Sequence, residues 1–421
     1  MQDIKGKRLL IIGGVKLACN IIEKARELGV YTIVTDYLED SPAKKMADES
    51  YMISTTDVDA IVDLVREKKI DGVLTGYIDS MLIYCQQVCE KLGYPFYATR
   101  EQIELTCDKR KFKQICRNNN LQVITEYDPH EGLDNIEYPV VVKPVDSSGS
   151  KGISICRNVN ELRTGIDKAL EFSKSKNVIV EKYMTSEEVV IYYTIQDGTI
   201  SLSGMCDRYT NKEQPGFAQL PTAYIFPSKY LGSFQKTDDE NVKNMLKSIC
   251  IKNGVLFIQA FIEDGRVCIY EMGYRLNGAQ EYRIISAING INTMEMLIRH
   301  ALTGKMDGWD LTKYDNPNFS KYACKITPLL RQGVIKKIIG IEEISRLPEI
   351  IDIVPVHTEG DRIEAVGTLD QVLTRIFAVS DSIARLQRVI DKVYTTIKVY
   401  DDNGNDMLLS GYDVSLLNDR G

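Results

Sequence analysis

The chain has 421 residues, of which 44% are hydrophobic and 26% are charged, and its formal net charge is −7. This balance is typical of a globular protein of roughly two to four domains, and the acidic charge argues against a nucleic-acid binder. Ten cysteines are scattered without a CxxC pair, and three histidines lie far apart without metal-ligand spacing. The first residues lack a signal-peptide pattern, and no stretch approaches the length of a membrane span. We therefore expect a reduced, cytoplasmic protein that acts neither at a membrane nor on nucleic acid.

The N-terminal stretch predicts a βαβ unit. Residues 9–12 form an apolar run that ends in two glycines, residues 17–28 carry apolar side chains at helical spacing, and residues 30–34 form a second apolar run. Asp36 follows the second strand, where dinucleotide-binding proteins place a ribose-binding acid, but the glycine pattern GGVKLA is not GxGxxG. We interpret Asp36 as part of a turn at the end of this strand.

The alternation of helices and strands continues to about residue 98 and predicts an open parallel sheet. The predicted helices cover residues 57–68 and 81–92, and the predicted strands cover residues 70–75 and 93–97. Two shorter helical segments follow, at residues 101–105 and 112–118.

A strand followed by a glycine-rich loop lies near the middle of the chain, in the sequence PVVVKPVDSSGSKG at residues 139–152. Lys143 ends the apolar run, and Pro144 keeps the backbone extended. Small hydroxyl and glycine residues then let backbone N–H groups approach an anion, and Lys151 adds positive charge. The loop alone is equally compatible with a polyphosphate site and with a surface hairpin carrying a solvated lysine.

The second half of the chain predicts two β-hairpins and one long polar segment. The hairpins pair residues 189–195 with 200–206 and residues 255–262 with 267–272. Residues 207–230 are polar and contain proline and glycine, so we predict a functional loop in which Arg208 and Lys212 contact a substrate. Other predicted elements are strands at 123–125 and 178–184 and helices at 159–174, 239–253, 294–302, 341–347 and 368–392. The tail is interpreted as a small separate α+β unit.

Three groups of residues occur in an order that resembles a known superfamily. They are Lys109; Lys143 with the SSGSKG loop, EKYM at residues 181–184 and Glu188; and Gln259, Glu271 and Arg275. Together they resemble the ATP-grasp superfamily, which includes biotin carboxylase, the large subunit of carbamoyl phosphate synthetase, D-alanine ligase and amino-acid ligases. One motif alone would be weak, whereas the ordered set covers nearly the whole chain.

The resemblance implies a fold of α/β and α+β parts. It places an N-terminal open parallel-sheet domain, the pre-ATP-grasp domain, at residues 1–105. An ATP-grasp clamp of two α+β subdomains would follow at residues 106–310, with a lid subdomain at about residues 120–184. A small C-terminal α+β domain would occupy residues 311–421.

The resemblance also implies a nucleotide site for ATP. Lys109 and Lys143 would contact phosphates, and the loop residues Ser148, Gly149 and Ser150 would bind the terminal phosphates. The strand that carries Glu181, Lys182, Tyr183 and Met184 would bind adenine through its backbone. Glu188 would accept hydrogen bonds from the ribose, with its neighbour Glu187 an equal candidate.

At the catalytic end, the resemblance implies two metal-binding residues and two positively charged catalytic side chains. Gln259 and Glu271 would bind Mg²⁺, or Mn²⁺ in its place, and bridge it to the phosphates. Arg275 and Lys143 would stabilise the charge of the transferred phosphoryl group. A purely structural pair of Arg275 with Glu271 is the alternative interpretation.

Two positions depart from the superfamily pattern. Gly273 stands where members carry a metal-binding asparagine, so either Asn277 substitutes, or one Mg²⁺ is bound with more water, or a second metal binds weakly. The first metal position is Gln259 rather than an acid. A Gly273→Asn substitution would restore the missing ligand if the backbone accepts a Cβ atom.

We therefore predict an ATP-dependent ligase that activates a carboxylate as an acyl phosphate and joins it to an amine-type nucleophile. The predicted partners are small-molecule carboxylate and amine substrates, and the sequence leaves open whether the chain forms a homodimer. One alternative is a bicarbonate-phosphorylating enzyme like carbamoyl phosphate synthetase or biotin carboxylase, although the chain holds only one clamp. The other is a non-catalytic nucleotide-binding regulator, which the missing asparagine favours.

Overall fold

The N-terminal part folds as the predicted parallel sheet. The structure is a computed structural model, and it describes residues 2–128, 136–146, 152–214 and 219–420. Strands β1 to β4 are Arg8–Ile12, Tyr31–Thr35, Glu49–Tyr51 and Gly72–Leu74, and helices α1 to α4 are Ala18–Glu27, Pro42–Met46, Val58–Glu67 and Asp79–Leu92. The strands lie in the order β3-β2-β1-β4, all parallel. Asp36 accepts hydrogen bonds from the N–H groups of Gly14 (2.6 Å) and Leu38 (2.8 Å), which confirms the strand-end turn.

The predicted fifth strand of this sheet, residues 93–97, is wrong. This segment is irregular in the structure, because its aromatic end packs against Tyr274, far along the chain, instead of pairing with β4. The Tyr97 hydroxyl donates to the Tyr274 carbonyl (3.1 Å), and the Tyr274 hydroxyl donates to the Tyr97 carbonyl (3.0 Å). The segment therefore joins two parts of the molecule rather than extending one sheet.

A small antiparallel sheet follows two helices. Helices α5 and α6 are Arg100–Cys107 and Lys109–Asn118, and β5 is Gln122–Val123. Strands β6 to β9 are Glu126–Tyr127, Val140–Pro144, Ser154–Cys156 and Val178–Lys182, in the order β6-β9-β7-β8, and helix α7 is Val159–Phe172. Valines of β7 and β9 pack against Leu162 and Ala169 of α7, which buries one face of this sheet.

Long antiparallel strands form the centre of the molecule. Strands β10 to β14 are Glu188–Gln196, Thr199–Thr210, Pro221–Phe226, Gly254–Glu263 and Arg266–Gly273, and helices α8 to α11 are Leu231–Thr237, Asp239–Ser248, Tyr282–Asn289 and Thr293–Thr303. Both predicted hairpins are confirmed. The predicted loop at 207–230 is wrong in part, since β11 continues to Thr210 and β12 is a fully buried strand inside the segment. Polar flanking residues and two prolines hide this short strand from pattern analysis.

The C-terminal part adds strands to the same large sheet. Strands β15 to β21 are Tyr322–Ile326, Gly333–Val334, Lys337–Ile339, Ile350–Pro355, Arg362–Ile363, Thr374–Ser380 and Lys398–Tyr400, and helices α12 to α14 are Leu311–Tyr314, Ile341–Ser345 and Ile383–Thr396. The nine-stranded sheet has the order β18-β20-β15-β12-β11-β10-β13-β14-β5. The predicted helix at 368–392 is wrong in its first half, which is β20, because β20 pairs with strands distant in sequence. The predicted combination of α/β and α+β parts is confirmed.

Among the residues described, no helix combines the length and the apolar character that crossing a membrane requires.

Candidate functional site

A buried carboxylate holds two lysines at the junction of α6 and the small sheet. The Lys143 Nζ atom lies 2.6 Å from Glu181 Oε2, and Lys113 contacts Glu181 Oε1. Lys113 also lies 2.9 Å from Glu126 Oε1. Glu181 is only 2% exposed. Burial by itself raises the pKa of Glu181, but Lys143 and Lys113 outweigh it and lower the pKa below the ordinary value.

Sequence reasoning missed Lys113. The residue lies on α6 one turn after Lys109, between the buried residues Phe112 and Cys116, and its side chain is fully buried. A lysine on the apolar face of a short amphipathic helix needs a buried acid as its partner. A charged residue at a position where the helical spacing predicts an apolar one is therefore the signal that could have identified Lys113.

The predicted adenine segment contributes more than a backbone. The Glu181 side chain supports two lysines, as described above, and the Lys182 Nζ atom lies 2.7 Å from Glu263 Oε1. The N–H of Lys182 donates to the Thr125 carbonyl (3.0 Å), and the N–H of Tyr183 donates to the Pro139 carbonyl (3.1 Å). These two N–H groups are therefore already used within the chain.

The predicted metal residues lie side by side. Gln259 of β13 and Glu271 of β14 are directly opposite each other in the antiparallel register. Lys109 approaches from α6, with its Nζ atom 3.9 Å from Glu271 Oε1. Among the described residues, no group of three histidine, cysteine or acidic side chains could hold a metal ion. The chain therefore offers one carboxylate and one amide oxygen donor here, which are ligand types that Mg²⁺ accepts when phosphates and water complete its shell.

Gly273 is required by the ring of Phe257. The two residues are opposite each other on β14 and β13, and a Cβ atom built on Gly273 would lie less than 3.0 Å from two atoms of the Phe257 ring. The same ring lies 5.2 Å from the Arg275 guanidinium. An asparagine at position 273 therefore does not fit this structure. Asn277, the proposed substitute, uses its Oδ1 atom to accept from the Ala279 N–H (3.0 Å).

The predicted ribose acid is engaged by protein groups. Glu188 contacts the Arg208 guanidinium, and its Oε1 atom accepts from the Tyr270 hydroxyl (2.7 Å). Its neighbour Glu187 lies 2.6 Å from Lys229 Nζ and accepts from the Tyr230 hydroxyl. Arg208, predicted to contact a substrate, is thus ion-paired on β11, whereas Lys212 is exposed to solvent.

Arg275 pairs with an acid that lies on helix α4, beside the N-terminal parallel sheet. Its Nε and Nη2 atoms donate to the two carboxylate oxygens of Asp79, at 2.8 and 2.5 Å. Burial alone lowers the pKa of Arg275, but Asp79 and Glu271 raise it above the ordinary value, so the side chain stays charged. The predicted alternative, a structural pair of Arg275 with Glu271, is therefore not the main contact, since Arg275 forms a bidentate pair with an acid at the start of α4.

The glycine-rich loop, including Ser148, Gly149 and Ser150, lies outside the described residues.

Comparisons with known proteins identify similar folds. The family model for the C-terminal part of D-Ala-D-Ala ligase matches residues 108–252. The formate-dependent phosphoribosylglycinamide formyltransferase of Bacillus velezensis is 26% identical over 46% of this chain, and the alignment spans only about half of that relative, 52%. The enzyme of the same name from Francisella tularensis strain SCHU S4 is 26% identical over 71% of this chain and 77% of its own length.

Two solved structures resemble nearly the whole chain. The L-amino acid ligase from Bacillus licheniformis aligns with a TM-score of 0.76 and 20% identity, over 95% of this chain and 100% of that one. The phosphoribosylglycinamide synthetase from Anaerococcus prevotii aligns with a TM-score of 0.74 and 19% identity, over 94% and 100%. At this identity the likeness is one of fold.

Proposed function

We propose that this chain, which belongs to the ATP-grasp superfamily, is an ATP-dependent ligase that activates a carboxylate as an acyl phosphate and joins it to an amine. ADP and phosphate would be released. The observation that carries the proposal is that helix α6 brings Lys113 to the Glu181–Lys143 pair and, one turn earlier, Lys109 to Glu271, which lies opposite Gln259. Lysines aligned by a buried acid are suited to a polyphosphate, since the acid fixes their positions.

The nucleotide would lie between the small sheet and the hairpin of β13 and β14. Lys109 and Lys143 would contact its phosphates. Because the N–H groups of Lys182 and Tyr183 are used within the chain, backbone recognition of adenine falls to the Met184 N–H. Glu188 would share its acceptor oxygens between the ribose and Arg208.

Gln259 and Glu271 would hold one Mg²⁺ or Mn²⁺ ion. When bound, the ion would neutralise phosphate charge during phosphoryl transfer. The ring of Phe257 fills the space of a further amide ligand at position 273, which supports a site with one protein carboxylate, one amide and added water.

Arg275 would stabilise the charge of the transferred phosphoryl group. Its bidentate pair with Asp79 holds the guanidinium plane in one orientation, so little ordering is needed when the substrate binds. Such a ligase works by positioning and charge neutralisation and needs no nucleophilic side chain.

We also propose the domain division at residues 1–105, 106–310 and 311–421, with the lid at about 120–184. The separate four-stranded sheet with α7 supports a lid that moves as a unit. The chain would act on small molecules in the cytoplasm.

A phosphate-release assay tests the function. Purified protein with ATP and Mg²⁺ is mixed with a panel of carboxylates, including formate, amino acids and bicarbonate, each with and without amines. Release that requires both a carboxylate and an amine supports the ligase. Release with bicarbonate alone would indicate the bicarbonate-phosphorylating alternative, and ATP binding without release would indicate a regulator.

A further inference from the structure

A small cavity lies beside Arg275, on the face of the large sheet that carries the proposed metal residues. Phe257, which lies in its wall, and Gln259 are two residues apart on β13, so their side chains point to the same face. The cavity has a volume of about 30 Å³ and is bounded by β10, β11, β13, the segment after β14 and the helices α10 and α11. A volume of this size holds roughly two water-sized groups. The cavity can therefore take one small chemical group, and the wall determines which kind.

The wall of the cavity is mostly apolar. Apolar side chains that contribute to it are Val255, Leu256, Phe257, Leu276 and Ile285. The hydroxyls of Thr194 and Ser203, which also lie in the wall, share a hydrogen bond (2.7 Å), and Ser203 donates a second one to Asp315 Oδ2 (2.7 Å). Since these hydroxyls already have partners inside the protein, a water molecule would gain few hydrogen bonds here. The cavity therefore favours an apolar group.

Arg275, Asn277 and Tyr282 mark the opening of the cavity. These three residues of the wall are partly exposed to solvent, whereas the rest of the wall is buried. Arg275 is held there by its bidentate pair with Asp79, and the Phe257 ring lies 5.2 Å from its guanidinium. The apolar wall therefore begins directly beside the positive charge.

The position of the opening relates the cavity to the reaction. In the proposed function, Arg275 stabilises the charge of the transferred phosphoryl group, so the carboxylate that accepts this group lies at Arg275. The substituent on the carboxyl carbon is then within reach of the cavity. Arg275 is also the only charged residue in the described wall, so nothing farther inside is suited to a second charge.

We propose that the cavity receives the substituent of the substrate carboxylate, and that the substrate is a carboxylic acid with an unbranched apolar group of about one or two carbons on its carboxyl carbon. This inference rests on the proposed ligase function, because Arg275 defines where the carboxylate lies. A longer chain exceeds the volume of the cavity, and a charged substituent lacks a partner there.

A chain-length series tests the proposal. The full chain is assayed with ATP, Mg²⁺ and formate, acetate, propionate, butyrate or valerate. Hydroxylamine is the amine, and it displaces phosphate from the acyl phosphate to give a hydroxamate and inorganic phosphate. We expect kcat/KM for hydroxamate formation to be highest for acetate or propionate. The value should be about fourfold or more lower for formate, which leaves the cavity unfilled, and about tenfold or more lower for valerate.

Two variants should shift this preference in opposite directions. Val255→Ile adds one carbon to the wall and should lower kcat/KM for propionate relative to acetate by about fourfold or more. Ile285→Ala removes three carbons and should raise kcat/KM for valerate relative to acetate by about tenfold or more. Ile284→Ala is the matched control, since Ile284 is a buried neighbour on α10 outside the wall and its loss should leave the preference unchanged. A shift of the thermal midpoint by AMP-PNP and Mg²⁺ verifies that each variant is folded, and Val255→Ile alone carries the test if Ile285→Ala does not fold.

Three results would overturn the inference. They are a preference for formate, the same chain-length order in the wild type and both variants, and no hydroxamate from any acid of the series. The ligase function is judged separately by the wider panel of carboxylates and amines. Turnover of another carboxylate in that panel would leave the ligase function standing without this inference, whereas ATP binding without turnover of any carboxylate would overturn both.

Discussion

Adding an asparagine at position 273 should destabilise the protein instead of restoring a metal ligand. The substitution places a Cβ atom less than 3.0 Å from two atoms of the Phe257 ring. Phe257 is 5% exposed and packs against Arg275, so the ring has little room to move. Overpacking of this kind costs about 1–3 kcal/mol in the free energy of unfolding.

A double-mutant cycle with Phe257→Ala isolates this clash. Phe257→Ala alone should cost about 3–5 kcal/mol, because it leaves a cavity. The double variant should be more stable than the sum of the two changes predicts, by about 1–3 kcal/mol, since the clash disappears with the ring. The free energies come from urea unfolding followed by circular dichroism.

Gly232→Ala is the matched control for a glycine substitution. Gly232 lies in helix α8, and a Cβ atom there meets nothing within 4 Å, so the variant should be neutral or more stable by up to about 1 kcal/mol. Additive effects of Gly273→Asn and Phe257→Ala would refute the steric argument. A tighter Mg²⁺ affinity in Gly273→Asn alone would also contradict it, because the amide could then reach the metal despite the ring.

Three further predictions concern single side chains. Glu271→Gln should abolish phosphate release, since it removes the only carboxylate among the proposed metal ligands; a wild-type rate and Mg²⁺ dependence would show that the hairpin is not the metal site. Lys113→Met should lower the free energy of unfolding, measured with urea, by about 3–5 kcal/mol, because it leaves Glu181 short of one partner. Lys111→Met, an exposed change on the same helix, should be close to neutral. Equal effects of the two changes would show that the loss of the Lys113–Glu181 pair is not the cause. Burial lowers the pKa of His300 from 6.5 to about 4, so the folded protein binds this proton less readily than the unfolded chain. Its contribution to stability should therefore be complete above pH 6.5 and decline by about 3 kcal/mol as the pH falls to 4. The decline should shrink in His300→Gln, and an unchanged pH profile in that variant would disprove the assignment.

Local patterns in the sequence were sufficient for several features of the site. The hairpin of β13 and β14 follows from its turn at Asp264 and Gly265, which have positive φ angles, and a bulge after Gln259 then shifts the register so that Gln259 lies opposite Glu271 instead of Tyr270. The turn at Asp36 was also predicted locally, because this residue follows a strand and the GxGxxG pattern that would indicate dinucleotide binding is absent. These features involve residues that are close along the chain or joined by one tight turn, so local patterns bring them near one another, although the bulge that completes the pairing of Gln259 with Glu271 is visible only in the structure. The ordered set of motifs likewise led to a fold that similar solved structures share.

Only the tertiary structure decided which charged groups pair across the fold. Arg275 pairs with Asp79, which lies at the start of α4 almost two hundred residues earlier in the chain, and Lys113 shares Glu181 with Lys143. The ring that excludes a side chain at position 273 and the strand β20 inside a predicted helix are also results of long-range packing. Such contacts depend on how distant strands align in the nine-stranded sheet, and helical or strand periodicity carries no information about that alignment.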